Sequence, residues 1–580
     1  MAKFLGGILT GFLLIVLLVI LVGVILTSRS TKSPSITEGS TLILRLTGEI
    51  PEKPALDLDI PFLPQHDAVT VEGVWSILRH AAADPRIKAV IFEPQQTTLG
   101  WAKMQEIRAD LELFRKSGKP LIAYLRAPGT REYYLASAAS KIYMSPTDML
   151  DLKGLALQTM YFKGSLDKLG VTVDVEHAGK YKDYGDMFTR TTMSPETREV
   201  MTGLADDLYN DLIATIAKGR SKDDETIKAT LDSGPFLSSQ AKTAGLVDDL
   251  LYEDQVFSSV QNTLHQKELK KVTTATYLGV TDSAAGLDAK DRIAWVVAAG
   301  SITRGTPGSS SANGLESEDF NKMLAKVASD SKVKGVIVRI DSPGGEVTAS
   351  DEMLRAMVEL RKKKPVVISM SDTAASGGYY MAMSGDPILA YPSTLTGSIG
   401  VVFGKPNLHG LYDKLGISKD SVSRGRFAMI ESDYESLTEA GRQKLREGID
   451  ANYEDFIAKV ARSRGKPVSV IEPLAQGRVW LGARAQANGL VDEIGGINRA
   501  IELVKAKASI PPASRVSLVI YPAKRSLLDL AFKSGSDSEA DVMLHAAGLD
   551  ALRSAWHDSS VQVWLRGGML RMMPLTIDFR

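Results

Sequence analysis

One long apolar run opens this chain, and two shorter rhythms of apolar and polar positions follow it. The run, residues 4–26, carries no charge and is dominated by Leu, Ile, Val and Gly. At about 1.5 Å per residue it can cross roughly 30 Å of hydrocarbon as a helix, so it predicts a retained membrane anchor. A cleaved signal peptide would have a shorter apolar stretch, about 7–15 residues, and a small-x-small site. Ile25-Leu26-Thr27-Ser28-Arg29 is a poor site of that kind. Lys3 precedes the span and Arg29 and Lys32 follow it, so charge gives only a weak signal for orientation. A polar Ser/Thr/Pro stretch, residues 28–40, leads into a large globular part.

There, short apolar β-rich runs alternate with amphipathic segments. Residues 293–297, 335–340 and 366–370 read as buried strands, and residues 320–328 and 351–361 have apolar positions at the three- and four-residue spacing of helices. Strand–helix–strand alternation predicts an α/β fold with mostly parallel strands.

The pattern is written twice. Asp167-Lys168-Leu169-Gly170 recurs as Asp413-Lys414-Leu415-Gly416, and Tyr133-Tyr134-Leu135-Ala136 as Tyr379-Tyr380-Met381-Ala382, both at an offset of 246 (413 − 167 and 379 − 133). Gly245-Leu246-Val247-Asp248 matches Gly489-Leu490-Val491-Asp492 at 244 (489 − 245). This register divides the chain into an anchor and linker (1–40), a first repeat (41–267), a linker (268–290), a second repeat (291–510) and a C-terminal extension (511–580) with no repeat partner. The extension holds one β-like run, 516–520, and a polar stretch at 534–539.

Composition narrows the chemistry. Lys plus Arg and Asp plus Glu are 69 each, a balance that argues against a nucleic-acid binder. With no cysteine, a thiol nucleophile, a disulfide and a thiolate metal site are excluded.

Two glycine-rich turns stand out, both in the second repeat. Asp341-Ser342-Pro343-Gly344-Gly345 follows a strand and precedes a helical pattern, where exposed N–H groups can stabilise an oxyanion. Ala374-Ala375-Ser376-Gly377-Gly378-Tyr379-Tyr380 follows the next strand and presents a serine among small residues. A serine there also suits a helix cap. The comparison between copies favours chemistry: Thr130-Arg131-Glu132 stands where the second copy has Ser376-Gly377-Gly378, and Gln96-Thr97-Thr98-Leu99 where it has Ser342-Pro343-Gly344-Gly345. The flanking tyrosines survive in both, so the fold does not need the glycines.

A nucleophilic serine needs a base. The seven histidines (66, 80, 177, 265, 409, 545, 557) are scattered, and none sits in a small-residue turn. A lysine is the alternative, provided that it is desolvated or hydrogen-bonded as the neutral amine. His177-Ala178-Gly179-Lys180-Tyr181-Lys182-Asp183 follows a strand-like run at 171–176, and the second copy has Ala428 where this one has Lys182. On its own such a lysine also suits a solvated surface loop.

The Asp-Ser-Pro-Gly-Gly turn, Ala-Ala-Ser-Gly-Gly-Tyr-Tyr, Pro392-Ser393-Thr394-Leu395-Thr396-Gly397-Ser398-Ile399-Gly400 and Gly179-Lys180-Tyr181-Lys182 together resemble the signal peptide peptidase A family, in its long duplicated bacterial form. The resemblance covers roughly residues 1–510. It implies two tandem ClpP/crotonase-like domains after an N-terminal transmembrane helix, and a serine endopeptidase with a Ser-Lys dyad that degrades cleaved signal peptides and other hydrophobic peptides. Ser376 matches the nucleophile, Lys182 the general base, and Ser398 a serine that holds the lysine amine. Gly377 with Gly344 or Gly345 matches the oxyanion hole. No cofactor or metal is implied. A homotetramer is, anchored in the bacterial inner membrane through residues 4–26 with its catalytic domains in the periplasm. One departure is local: Asp183-Tyr184-Gly185-Asp186 follows Lys182 where Ser-Ala and Glu-Pro-Phe would be expected. The alternatives are a membrane scaffold with lapsed catalysis and a crotonase-like acyl-CoA enzyme.

Overall fold

The computed structural model describes residues 33–53, 69–305, 314–522, 569–573 and 578–579. The apolar run at 4–26 and the polar stretch at 534–539 lie outside them, as do His66, His545 and His557. Among the described residues no helix is long and apolar enough to cross a membrane.

Each repeat is built on a parallel sheet. In the first, the strand order is Lys271–Thr273, Ser40–Gly48, Ile87–Thr97, Leu121–Leu125, Lys141–Met144, Asp249–Leu250, every pair parallel. In the second, Val516–Tyr521, Asp291–Ala299, Val333–Ser342, Val366–Ala375 and Ile388–Ala390 follow the same order, with Glu493–Ile494 outermost. Val366–Ala375 pairs, through its last residues, with Leu395–Gly397 as well. The strands expected at 293–297, 335–340 and 366–370 form the centre of this sheet. They are buried along their whole length, and apolar but for Arg339 and Ser369, because helices cover both faces. The helix Ser317–Ser329 buries Phe320, Leu324 and Val327, one stripe at i, i+4 and i+7.

Two sequence-based boundaries move. Residues 268–290 hold more than a connection: Lys271–Thr273 pairs with Ser40–Gly48, and the helix Thr274–Leu278 buries Tyr277 beneath it. Val516–Tyr521, placed beyond residue 510 in the extension, has the corresponding position on Asp291–Ala299, so it does have a repeat partner. Each sheet is therefore closed by a short strand arriving after its repeat.

A third sheet belongs to neither repeat alone. Its order is Gly314–Glu316, Ser301–Thr303, Gly344–Glu346, Met569–Met572, Val401–Asn407, Thr172–Ala178. Thr172–Ala178 of the first repeat pairs antiparallel with Val401–Asn407 of the second over seven residue pairs, from Thr172↔Asn407 to Ala178↔Val401. Arg442 bridges Asp174 and Glu176, and Arg446 joins Glu176, across the same seam.

Deeper in the interface, the first repeat's apolar core takes in Ala375, Leu395, Val479 and Leu481 of the second. The fully buried Arg339 donates to Glu52 Oε1 at 2.9 Å, to Glu106, and to Ser369 Oγ at 3.0 Å. Lys103 Nζ lies 2.7 Å from Asp341, just before the Ser-Pro-Gly-Gly turn. These ions are out of water on both sides, so each depends on its partner. Arg339→Met would leave Glu52 and Glu106 buried without a counter-charge. Denaturant unfolding of this variant is expected to show a loss of about 3–5 kcal/mol; a loss below about 1 kcal/mol would mean that the cluster is wet.

Candidate active site

The seam between repeats ends at the lysine loop. Thr172–Ala178 stops at Gly179, and the chain turns so that Tyr181 N–H donates to Gln476 O at 2.7 Å. Lys182 then points into the second repeat and is completely buried. It fits only because two glycines line its path. A Cβ on Gly477 would lie 2.6 Å from Lys182 Cβ, and one on Gly400 would lie 3.0 Å from Lys182 Cδ.

The serine comes from the other side. Val366–Ala375 ends, Ser376 takes φ 55° and ψ −112°, and the helix Gly377–Ala382 begins. Left-handed φ at a non-glycine residue costs energy and is kept where the surroundings enforce it. Here Ser376 N–H is fixed to Gly397 O at 2.8 Å, and Tyr380 N–H to Ser376 O at 2.8 Å. The Ser376 side chain does not cap the helix. Its Oγ lies 2.8 Å from Lys182 Nζ instead. The same amine reaches Ser398 Oγ and Ser398 O, both at 2.9 Å.

Three oxygen partners suit the three N–H donors of an ammonium, or the two N–H donors and one lone pair of a neutral amine. In the neutral form the two Ser398 oxygens can accept the two N–H groups, which leaves the lone pair for the Ser376 hydroxyl. The electrostatics favour the neutral form. Burial pushes the Lys182 ammonium well below its ordinary range, Asp183 pulls the other way, and the Arg571 guanidinium adds to the depression. Asp183 is itself weakened as a counter-charge: burial raises its carboxyl to about 6, against a hydrogen bond from Thr197. A neutral amine against a serine hydroxyl can take its proton.

The Peptidase family S49 profile matches the chain twice, over residues 113–267 and 358–510, together more than half of its length. The chain belongs to peptidase family S49. Serine protease SPPA, chloroplastic, of Arabidopsis thaliana is 36% identical over 494 residues, which are 83% of this chain and 71% of that protein. Protease 4 of Salmonella typhi is 32% identical over 527 residues, 87% and 83% of the two chains. Protease 4 of Haemophilus influenzae is 30% identical over 498 residues, 82% and 80%. As a duplicated S49 protein of the SPPA and Protease 4 kind, the chain is a serine-type peptidase.

In this S49 peptidase the structure brings Lys182, Ser376 and Ser398 into one contact. Gly377 N and Gly344 flank the serine: a Cβ on Gly344 would lie 2.7 Å from Gly377 N. The Gly-Gly turn differs from the expected helix start. Gly344–Glu346 is a short strand of the third sheet, and the helix starts only at Val347. Neighbouring strands leave no room for a side chain here: a Cβ on Gly345 would lie 2.0 Å from Ile302 O. His80 is engaged by Asp282, His177 by Gly179 O, and His409 stacks on Tyr434.

The sequence reading missed Gln476, Gly477 and Arg478. Gly477 N–H donates to Ile399 O at 2.8 Å, Ser398 N–H donates to Arg478 O at 2.7 Å, and Arg478 pairs with Glu199 of the first repeat at 2.6 Å. This segment clamps both Lys182 and Ser398. Its only sequence signal was the Gln-Gly pair before a short β-like run. Ala428, the counterpart of Lys182, is exposed.

The first repeat shows what replaces the glycines. Glu132, where the second repeat has Gly378, is buried and accepts from Thr97 N at 2.7 Å, Thr97 Oγ1 at 2.7 Å and Gly129 N at 2.9 Å. A carboxylate thus fills the turn that is left for other use in the second repeat.

The depressed Lys182 sets a test independent of turnover. The unfolded lysine titrates near 10.5, and the folded one well below. Between those values the unfolded state holds one more proton, so burying Lys182 costs stability that is recovered as pH rises. The stability of Lys182→Met relative to the unsubstituted protein is expected to fall by about 1.4 kcal/mol per pH unit on that interval. Denaturant melts at a series of alkaline pH values measure this, and a pH-independent difference would mean a charged lysine.

Proposed function

We propose that the peptidase works through a Ser376–Lys182 dyad assembled across the two repeats. The observation that carries this is the buried Lys182 amine, 2.8 Å from Ser376 Oγ and held by both oxygens of Ser398. Neutral Lys182 takes the Ser376 proton as Oγ attacks the scissile carbonyl. The N–H groups of Gly377 and of Gly344 or Gly345 receive the oxyanion. Lys182 then gives its proton to the leaving amine and, in the second half, draws a proton from the water that releases the acyl group. Ser398 positions the amine.

The substrates in this reading are hydrophobic peptides, cleaved signal peptides among them, since the motifs resemble that family and an apolar occupant keeps the lysine dry. The same resemblance supports ClpP/crotonase-like repeats, a single membrane anchor at residues 4–26, periplasmic catalytic domains and a homotetramer. Asp183, the local departure, leaves the lysine amine in place.

Ser376→Ala and Lys182→Ala are each expected to lower turnover of a hydrophobic peptide by at least about 10³-fold while circular dichroism stays unchanged. Normal turnover by Lys182→Ala would sink the dyad. Lys180→Ala is expected to be much milder, because the Lys180 ammonium lies over the Tyr181 ring, 4.9 Å from its centre. Since only the neutral amine acts, kcat/KM is expected to rise with pH and level off below the ordinary lysine value of 10.5. Ser398→Ala is expected to cost about 10²-fold in kcat with little change in KM, the signature of a misplaced base.

A further inference from the structure

The strand Met569–Met572 runs antiparallel between Gly344–Glu346 and Val401–Asn407. Gly344 pairs with Met572, Gly345 with Arg571 and Glu346 with Leu570, while Val402 pairs with Leu570 on the other edge. Met573 N–H also donates to Pro343 O at 2.7 Å. Neighbouring strands lie about 4.8 Å apart, so without this one the two edges would face each other across about 10 Å, each with open N–H and C=O groups. That slot takes one extended chain.

The slot lies at the serine. A Cβ on Gly344 would be 1.9 Å from the Arg571 carbonyl oxygen, and one on Gly377 would be 3.2 Å from it. A main-chain carbonyl of the strand therefore lies against both glycines that flank Ser376, where the carbonyl of a peptide under attack has to come. Leu570 and Met572, two residues apart and on one face of the strand, are each 1% exposed. They pack with Tyr184 and Val402 and against Val175 and Phe188, residues of both repeats. Arg571 points the other way, its guanidinium 3.7 Å above the Tyr380 ring.

We propose that Met569–Met572 is a resident pseudosubstrate: it occupies the slot in which a peptide is bound as a β-strand, and peptides reach Ser376 only when it leaves. This rests on the Ser376–Lys182 reading. It adds a substrate class, extended peptides with apolar side chains at alternate positions, and a built-in competitor of that same pattern.

The chain has no cysteine, so Glu346→Cys with Leu570→Cys introduces one pair. Directly opposed residues in antiparallel strands have Cα atoms about 4.5–5.5 Å apart, within disulfide reach. In the full-length double variant, oxidation is expected to slow both fluorophosphonate labelling of Ser376 and hydrolysis of an apolar peptide by about tenfold or more, and dithiothreitol to restore both. Equal rates in the two redox states would overturn the inference. Leu570→Asp, a charge in the apolar pocket, is expected to expel the strand and raise kcat/KM severalfold. A fall in kcat/KM would mean that the strand supports the site, which also overturns it. If Ser376 is labelled in no form, the unsubstituted protein included, it is the dyad reading that fails, and this inference falls with it.

Discussion

A lysine amine kept out of water between two serines is the constraint on which the rest of this structure depends. The charged form of Lys182 is penalised by complete burial, and its nearest carboxylate, Asp183, is partly spent on Thr197. Burial disfavours the charged amine, and its three oxygen partners, Ser376 Oγ, Ser398 Oγ and Ser398 O, fix where it sits. Distances of 2.8 to 2.9 Å leave little tolerance. The lysine and the serines come from different repeats, so any sliding of one repeat on the other would break all three contacts at once. The long ladder from Thr172 to Ala178, the Arg442 and Arg446 ion pairs and the buried Arg339 cluster all lock that one degree of freedom.

Duplication made this division possible. A single copy would need its turn both open for an oxyanion and filled for stability. Here the first repeat fills its turn with Glu132 and Thr97, and the second keeps glycines. Conversely, the first repeat sends its post-strand loop inward with Lys182, while the second leaves Ala428 in solvent. Each copy retains the sheet and the buried tyrosine pair, Tyr133-Tyr134 and Tyr379-Tyr380, and the Lys182–Ser376 contact takes one residue from each.

The parallel sheets were legible because their strands are mostly apolar runs and their helices carry one apolar stripe, both local signals. Ser376 was legible from contrast between the copies, and Lys182 from motif resemblance. The third sheet was not. Gly344–Glu346 and Ser301–Thr303 are three residues each and Met569–Met572 is four, too short to establish a period. Their pairing is decided by partners far away in sequence, and the glycines of 344–345 carry no side-chain pattern at all. The role of Val516–Tyr521 was hidden in the same way: the run reads as β, but its place beside Asp291–Ala299 is a tertiary fact. Gly477 escaped because what requires it is not a turn but the passage of Lys182.

Open strand edges are a hazard that most proteins cover or charge, yet an enzyme that receives extended peptides needs such edges beside its nucleophile. In the proposed reading the third sheet meets both demands with one strand. Main-chain pairing to Gly344–Glu346 and Val401–Asn407 is indifferent to sequence, so what distinguishes one occupant from another is the side chains in the pocket of Tyr184 and Val402. The pocket is apolar and fully enclosed around Leu570 and Met572. Lys182 is buried as completely, two residues before Tyr184 of that pocket. In the proposed reading, substrate choice and the basicity of the lysine both depend on keeping water out of this seam. In that reading a polar occupant would bind poorly and would also favour the charged form of the amine, which cannot take the serine proton.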